Sequence, residues 1–386
     1  MHVFEGSSLA KDAATAVGEA TERFPTSGPA TPDVILVFCS AAQPAADVAR
    51  LLAERFPKAL IAGCTTAGEH LGDRHFNGSL VVAGLRTPEI TWSCVSVDIA
   101  TLDETHARAA ADQLIAGLGI DRQSLDPRRH FCLTFMDGLS LKEETAVSAM
   151  ADALEGVPLL GGSAGDDLAF KRTDVIFGGE AKSGRALFLM GDSRTGFTVV
   201  KHQHYTTTPR SLVITRADVA TRRVYEMDGY PALEAYARAL GLLPEQVTGD
   251  VTFLNPVTFT CNDELYVRSI QRVEPDGSLV FYCAIEEGMV LSVGGHEHME
   301  RALERDVGSL KASMGDVDLF IACNCILRAL EAEKGKHHDV LGKIVKSLSK
   351  HVIGFDTYGE QLNGLHINQT LVGLALRGER AQEQAS

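Results

Sequence analysis

The apolar residues of this chain come in runs of strand length broken by glycine turns, and that pattern most limits what it can become. Val34-Ile35-Leu36-Val37-Phe38 is typical, whereas a membrane-spanning helix needs about 20 such residues. Between the runs lie segments of helical period. In 43–56, Ala46, Val48, Leu51, Leu52 and Phe56 approximate one face. A chain of 386 residues built this way predicts a mixed α/β (α+β) protein too long for one ordinary domain. From 173 to 226, strand-like runs follow one another without helices, which argues for antiparallel pairing. The expected division is a first domain over 30–225 and a second over 226–376, each a mixed or antiparallel sheet packed with helices. No internal repeat stands out.

Local signals sharpen several elements. Ser140 followed by Glu143 predicts a capping box opening a helix over 141–155, just after the turn Asp137-Gly138. Pro231 predicts a helix start near Tyr230, where its missing N–H costs nothing. Strands are expected at 352–355 and, unbroken, at 366–376. From Arg377 the tail is polar and expected to fray.

Charge and cysteine usage exclude some classes. With 36 Lys and Arg against 51 Asp and Glu, the net charge is −15. Neither nucleic acid nor an anionic membrane is an expected partner, because both need a basic patch. Residues 1–20 lack the basic start and apolar core of a secretory signal. Most of the eight cysteines sit inside apolar segments, as buried free thiols do in a reducing compartment. The expected location is the cytoplasm.

No established catalytic motif is present: there is no Gly-x-Ser-x-Gly, His-Glu-x-x-His or phosphate loop. His296-x-His298, Cys323-x-Cys325 and His337-His338 offer zinc donors, but not at a structural-zinc spacing. In the C-terminal stretch, His366, Asn368 and Thr370 recur every second residue. On a strand that puts all three on one face, either a solvated face or the polar wall of a pocket.

Five stretches, in order, resemble the FIST family of signal-transduction proteins. They are Ile61 to Glu69 (Ile-Ala-Gly-Cys-Thr-Thr-Ala-Gly-Glu), Gly161 to Asp167, Tyr225 to Ala232, Cys325-x-x-Arg328 and 354–370. The resemblance covers about residues 30 to 375. It implies a non-catalytic sensor that holds a small ligand between an N-terminal and a C-terminal FIST domain and regulates a partner, with Asp137, Gly161, Gly162, Ser163, Tyr358, Glu360, Asn368 and Thr370 as the expected lining. A bacterial subset of the family binds haem, senses nitric oxide and acts on sensor histidine kinases. For such a protein haem b would be non-covalent, and the candidate iron ligands are His366, then His351, then His204. A second reading is a metal-free sensor of an amino-acid-like metabolite, with Glu360 and Arg328 pairing its charges. A third is a hydrolase using Cys64 or Ser163.

Overall fold

A computed structural model describes residues 1–261 and 263–378; the rest of the expected polar tail lies outside the described residues. It is a mixed α/β protein of several mixed sheets in two domains. Among the described residues, the larger part is built from one pattern used three times. A buried strand leads through helix to a parallel partner, then to a short hairpin, then to a strand that returns antiparallel beside the first. The first strands are Val34–Ser40, His130–Met136 and Val317–Cys325. Their parallel partners are Leu60–Thr66, Leu159–Ser163 and Ser349–Thr357. The returning strands are Leu80–Arg86, Arg185–Ser193 and Leu371–Leu376.

The three units are locked by exchange of their hairpins. The hairpin Glu69–Leu71 with Arg74–Phe76 pairs onto Ser349–Thr357 of the third unit. Val175–Phe177 with Glu180–Lys182 pairs onto Leu60–Thr66 of the first. Glu360–Leu362 with Leu365–Ile367 pairs onto Leu159–Ser163 of the second. Each unit lends a hairpin to another and the cycle closes, giving three six-stranded sheets. Their inner faces share one core, in which Phe38, Phe135 and Phe355, one per unit, meet with centroids 4.7 to 5.8 Å apart. Helices cover the outer faces.

At the ends of the parallel strands the chain turns through Thr66-Ala67-Gly68-Glu69, Ser163-Ala164-Gly165-Asp166 and Thr357-Tyr358-Gly359-Glu360. Backbone hydrogen bonds join these turns in a ring: Gly165 N–H to Thr65 O, Tyr358 N–H to Ser163 O, and Ala67 N–H to Asp356 O. In two of them the acid folds back. Glu69 accepts from the Thr66 hydroxyl and from Ser79 N and Oγ. Glu360 accepts from the Thr357 hydroxyl and from Thr370 N and Oγ.

Burial pushes both carboxyls up to about 7, against the donors that face them. Unfolded, they titrate near 4.5, so between those values the folded chain holds protons that the unfolded chain has lost. Each glutamate therefore costs stability as pH rises through that window, about 1.4 kcal/mol per unit. We expect the wild type to lose stability relative to a Glu360→Gln chain between pH 5 and 8 in urea titrations. A pH-independent difference would contradict the assignment.

The second domain is an eight-stranded, nearly closed sheet running from Tyr205–Asp218 to Val290–His296. It has its own core around Tyr236, Phe281 and Leu291. Helix Met299–Met314 leads back to the third unit. The expected boundary at 225/226 falls inside the strand Arg223–Met227 of this sheet.

Two local expectations need correction. The helix after His130–Met136 spans Glu143–Ala153, and Lys142, not Ser140, precedes it without a side-chain cap. Ser140 instead donates to Asp137 O, and Leu141 lies at φ 56°, so the chain enters by a tight turn that no capping box could follow. The strand expected over 366–376 is two strands, broken where Gln369 takes φ 53°.

A cleft between the body and the eight-stranded sheet

A cavity of about 590 Å³ lies where the eight-stranded sheet meets the three-unit body. That volume is within the range of small-molecule sites, which favour domain interfaces. Its body side includes Leu139, Phe170, Leu327, Tyr358, His366 and Asn368; Arg222, Arg272 and Phe281 come from the sheet. The walls are mainly apolar, with a few polar groups facing inward.

His366 belongs to the lent hairpin strand Leu365–Ile367, which places it at the cleft. It is 2% exposed, and burial lowers its pKa to about 4, so the imidazole is neutral at physiological pH. Its Nδ1 lies 3.0 Å from Gln361 Nε2, and Gln361 Nε2 also donates to Ser163 Oγ at 2.8 Å. Gln361 Oε1 is buried without a hydrogen-bond partner, as is Asn368 Oδ1. Unpaired buried acceptors are uncommon, and two of them flank the one imidazole that faces the cavity.

Tyr358 forms part of the wall, stacked on Phe170 at 4.8 Å between centroids, with its hydroxyl donating to Asp166. Across the mouth, Arg222 donates to Glu143 Oε2 at 2.8 Å and Glu144 Oε2 at 2.6 Å, and to Tyr282 O at 2.6 Å. Burial pushes Glu143 up while Arg222 pulls against it. The cluster ties sheet to body at the edge of the cleft.

The structure thus brings Asn368 and Tyr358 of the expected lining together with His366, the first candidate iron ligand. The others sit elsewhere. Thr370 does not share the face of His366, because the backbone reversal at Gln369 turns it onto Glu360. Glu360 is wholly buried in its own turn. Asp137 accepts from Thr173 Oγ1, Leu139 N and Gly184 N, closing its loop. Gly161 and Gly162 lie in the core of a sheet, and Ser163 lies behind Gln361.

Of the other histidines, His351 pairs with Glu5 at 3.1 Å on the strand Ser349–Thr357. His204 lies between Arg328 and Glu331. Neither lines the cleft. Cys64 is fully buried and burial holds its thiol far above the usual range. The ion-pair cluster escaped the sequence reading, in which Glu143 figures only as a capping residue, since no spacing links the turn residue Arg222 to a helix some 80 positions earlier.

Comparison with known proteins places the chain. The FIST N domain matches residues 33–230 and the FIST C domain residues 232–363. The chain is 22% identical over 343 residues to the uncharacterized protein MJ1623 of Methanocaldococcus jannaschii, covering 84% of this chain and 65% of that protein. It thus spans under two thirds of that relative's length. Among solved structures it is similar to a cyanuric acid hydrolase from A. caulinodans, with TM-score 0.40 and 8% identity over 98% of this chain and 99% of that one. That likeness is too low to show a common fold.

Proposed function

We propose, from the premise that this chain belongs to the FIST family, that the cleft is its sensory site and haem b the ligand held there. FIST domains mark signal-transduction sensors of small ligands. The observation that carries the finer reading is His366, a neutral imidazole facing a mainly apolar cavity of about 590 Å³.

The residues fit the group. Haem iron takes a neutral imidazole whose second nitrogen is fixed by a neighbour. Turning the Gln361 amide over would let its partnerless Oε1 accept from Nδ1–H and leave Nε2 free to ligate. Phe170, Leu327, Tyr358 and Phe281 would flank a flat apolar ligand, and Arg272 from the sheet side would meet its carboxylates. Bound haem would supply an open coordination position for nitric oxide. The chain's part is to hold His366 neutral, exclude water with apolar walls and couple the cleft to the junction of its two domains. A ligand with different affinities for two relative positions of those domains shifts the balance between them.

The reading is non-catalytic, and the burial of Cys64 and Ser163 supports it. Its output would pass to a separate signalling protein, a sensor histidine kinase in the cytoplasm. Among the described residues no helix is long and apolar enough to cross a membrane.

The chain expressed with haem is expected to show a sharp Soret band that shifts on adding nitric oxide anaerobically, and His366→Ala to lose both band and shift. Unchanged loading and response in that variant would remove His366 as the ligand. A featureless spectrum with no stoichiometric haem uptake would instead favour a metal-free metabolite. One observation supports that second reading: Asn368 Oδ1, an unpaired acceptor, lies in a residue of the cleft wall and could receive an ammonium group. Glu360 and Arg328 are not part of that wall.

A further inference from the structure

We propose that His70, His75 and Asp356 form a site for one divalent transition-metal ion, with zinc as the reference, that staples the first unit's hairpin to the third unit's central strand. The site is separate from the cleft and does not depend on what the cleft binds.

The placement follows from the exchange of hairpins. His70 and His75 are direct cross-strand partners in the hairpin, so both imidazoles leave the same face, with centroids 4.9 Å apart. The hairpin pairs with Ser349–Thr357, placing His70 opposite Gly354. Asp356 is two residues further along that strand and therefore on the same face. His70 Nε2 lies 2.8 Å from Asp356 Oδ1 and His75 Nε2 lies 2.7 Å from Oδ2. All three ligand atoms fall within 4.8 Å of one another.

Three further features make this more than a pair of hydrogen bonds. Asp356 is completely buried while the histidines are 22% and 15% exposed at their side chains, so an anion is fixed at the base of a cup whose rim solvent reaches. Asn324 Nδ2 donates to Asp356 Oδ1 at 2.7 Å, the kind of outer partner that orients a ligating carboxylate. Gly68 keeps the cup open, because a Cβ there would strike Asp356 and come within 2.8 Å of His75 Nε2.

A cavity of about 60 Å³ adjoins His70, His75, Asn324 and His338, enough for an ion and a water on the usual liquid volume of about 30 Å³ per water. Two imidazoles and a carboxylate with a further position for water form a donor set that zinc, cobalt and iron accept. Zinc bonds of about 2.0–2.1 Å hold tetrahedral neighbours about 3.3 Å apart. The two imidazole–carboxylate contacts, 2.8 and 2.7 Å, need to lengthen by roughly half an ångström, while ligand atoms lying up to 4.8 Å apart close towards the same separation, by rotation of the two rings and the carboxylate. His338, stacked on His75 at 4.2 Å between centroids, covers one side without joining the set. On binding, each imidazole presents its Nε2 lone pair and keeps its proton on Nδ1; a charged imidazole releases one proton.

The test uses the full chain stripped with a chelator and titrated with Co²⁺ and Zn²⁺. The expected result is one equivalent of Co²⁺ with visible d–d bands and no thiolate charge-transfer band, displaced by Zn²⁺, and a raised thermal midpoint. His75→Ala should weaken binding by at least about 100-fold, and His70→Gln likewise, while His338→Ala stays within about tenfold. Binding that survives His75→Ala and His70→Gln, a thiolate band from the cysteines, or no uptake by the folded stripped chain would overturn the proposal. In the last case the triad is a hydrogen-bonded clip alone.

Discussion

Replacing Gly161 by Ala is expected to cost about 3 kcal/mol or more, a large part of the 5–15 kcal/mol that holds a typical protein folded. Gly161 sits opposite Thr134 in the parallel pair of the second unit. A Cβ there would overlap the Thr134 carbonyl oxygen and lie 2.8 Å from Thr134 Cγ2. Ordinary overpacking costs about 1–3 kcal/mol because side chains shift; here the obstacle is the backbone of a strand buried on both faces. The same arrangement recurs at Gly63 over Val37 O and Gly354 over Ala322 O, so Gly63→Ala and Gly354→Ala should be comparably damaging. Gly249→Ala is the control, since nothing lies within 4 Å of its added Cβ. Urea midpoints decide the matter. If Gly161→Ala folds with an unchanged midpoint but fails to bind ligand, the glycine serves the site and the packing argument fails.

That contrast also marks what the sequence disclosed. The glycine turns were legible as turns, and strand-length runs with helical segments between them were enough for a mixed α/β fold. The threefold pattern was not, although Thr66-Ala67-Gly68-Glu69 and Thr357-Tyr358-Gly359-Glu360 are nearly the same four residues. The units share little beyond the turn chemistry and the buried strands, and an eight-stranded sheet separates the second from the third. The exchange of hairpins is a long-range pairing that no local signal announces. His366 and Asn368 reached the cleft as period two predicts, while Thr370 did not, because a single left-handed residue, Gln369, resets which side chains face which way. The His70–His75–Asp356 cluster lay beyond spacing rules altogether, since its carboxylate is 281 positions from the nearer histidine.

Arg222→Ala should cost about 3–5 kcal/mol, the usual result of leaving buried charge without its partner. The guanidinium is 9% exposed and faces Glu143 at 2% and Glu144 at 24%. Removing it strands two carboxylates against each other at the mouth of the cleft and deletes the bond to Tyr282 O. Replacing the whole cluster by neutral groups should be much milder. Arg222→Met combined with Glu143→Gln and Glu144→Gln is expected to recover most of the loss, because no unpaired charge then remains buried. Ligand binding separates the two roles the cluster could play. If the ion pair fixes the sheet against the body, the triple variant should fold with a near-normal urea midpoint yet bind the ligand proposed for the cleft more weakly, since part of the ordering that the pair provides must then come from the ligand. Equal affinity in the triple variant and the wild type would show that apolar packing alone positions the sheet, and the cluster would then be a matter of stability only.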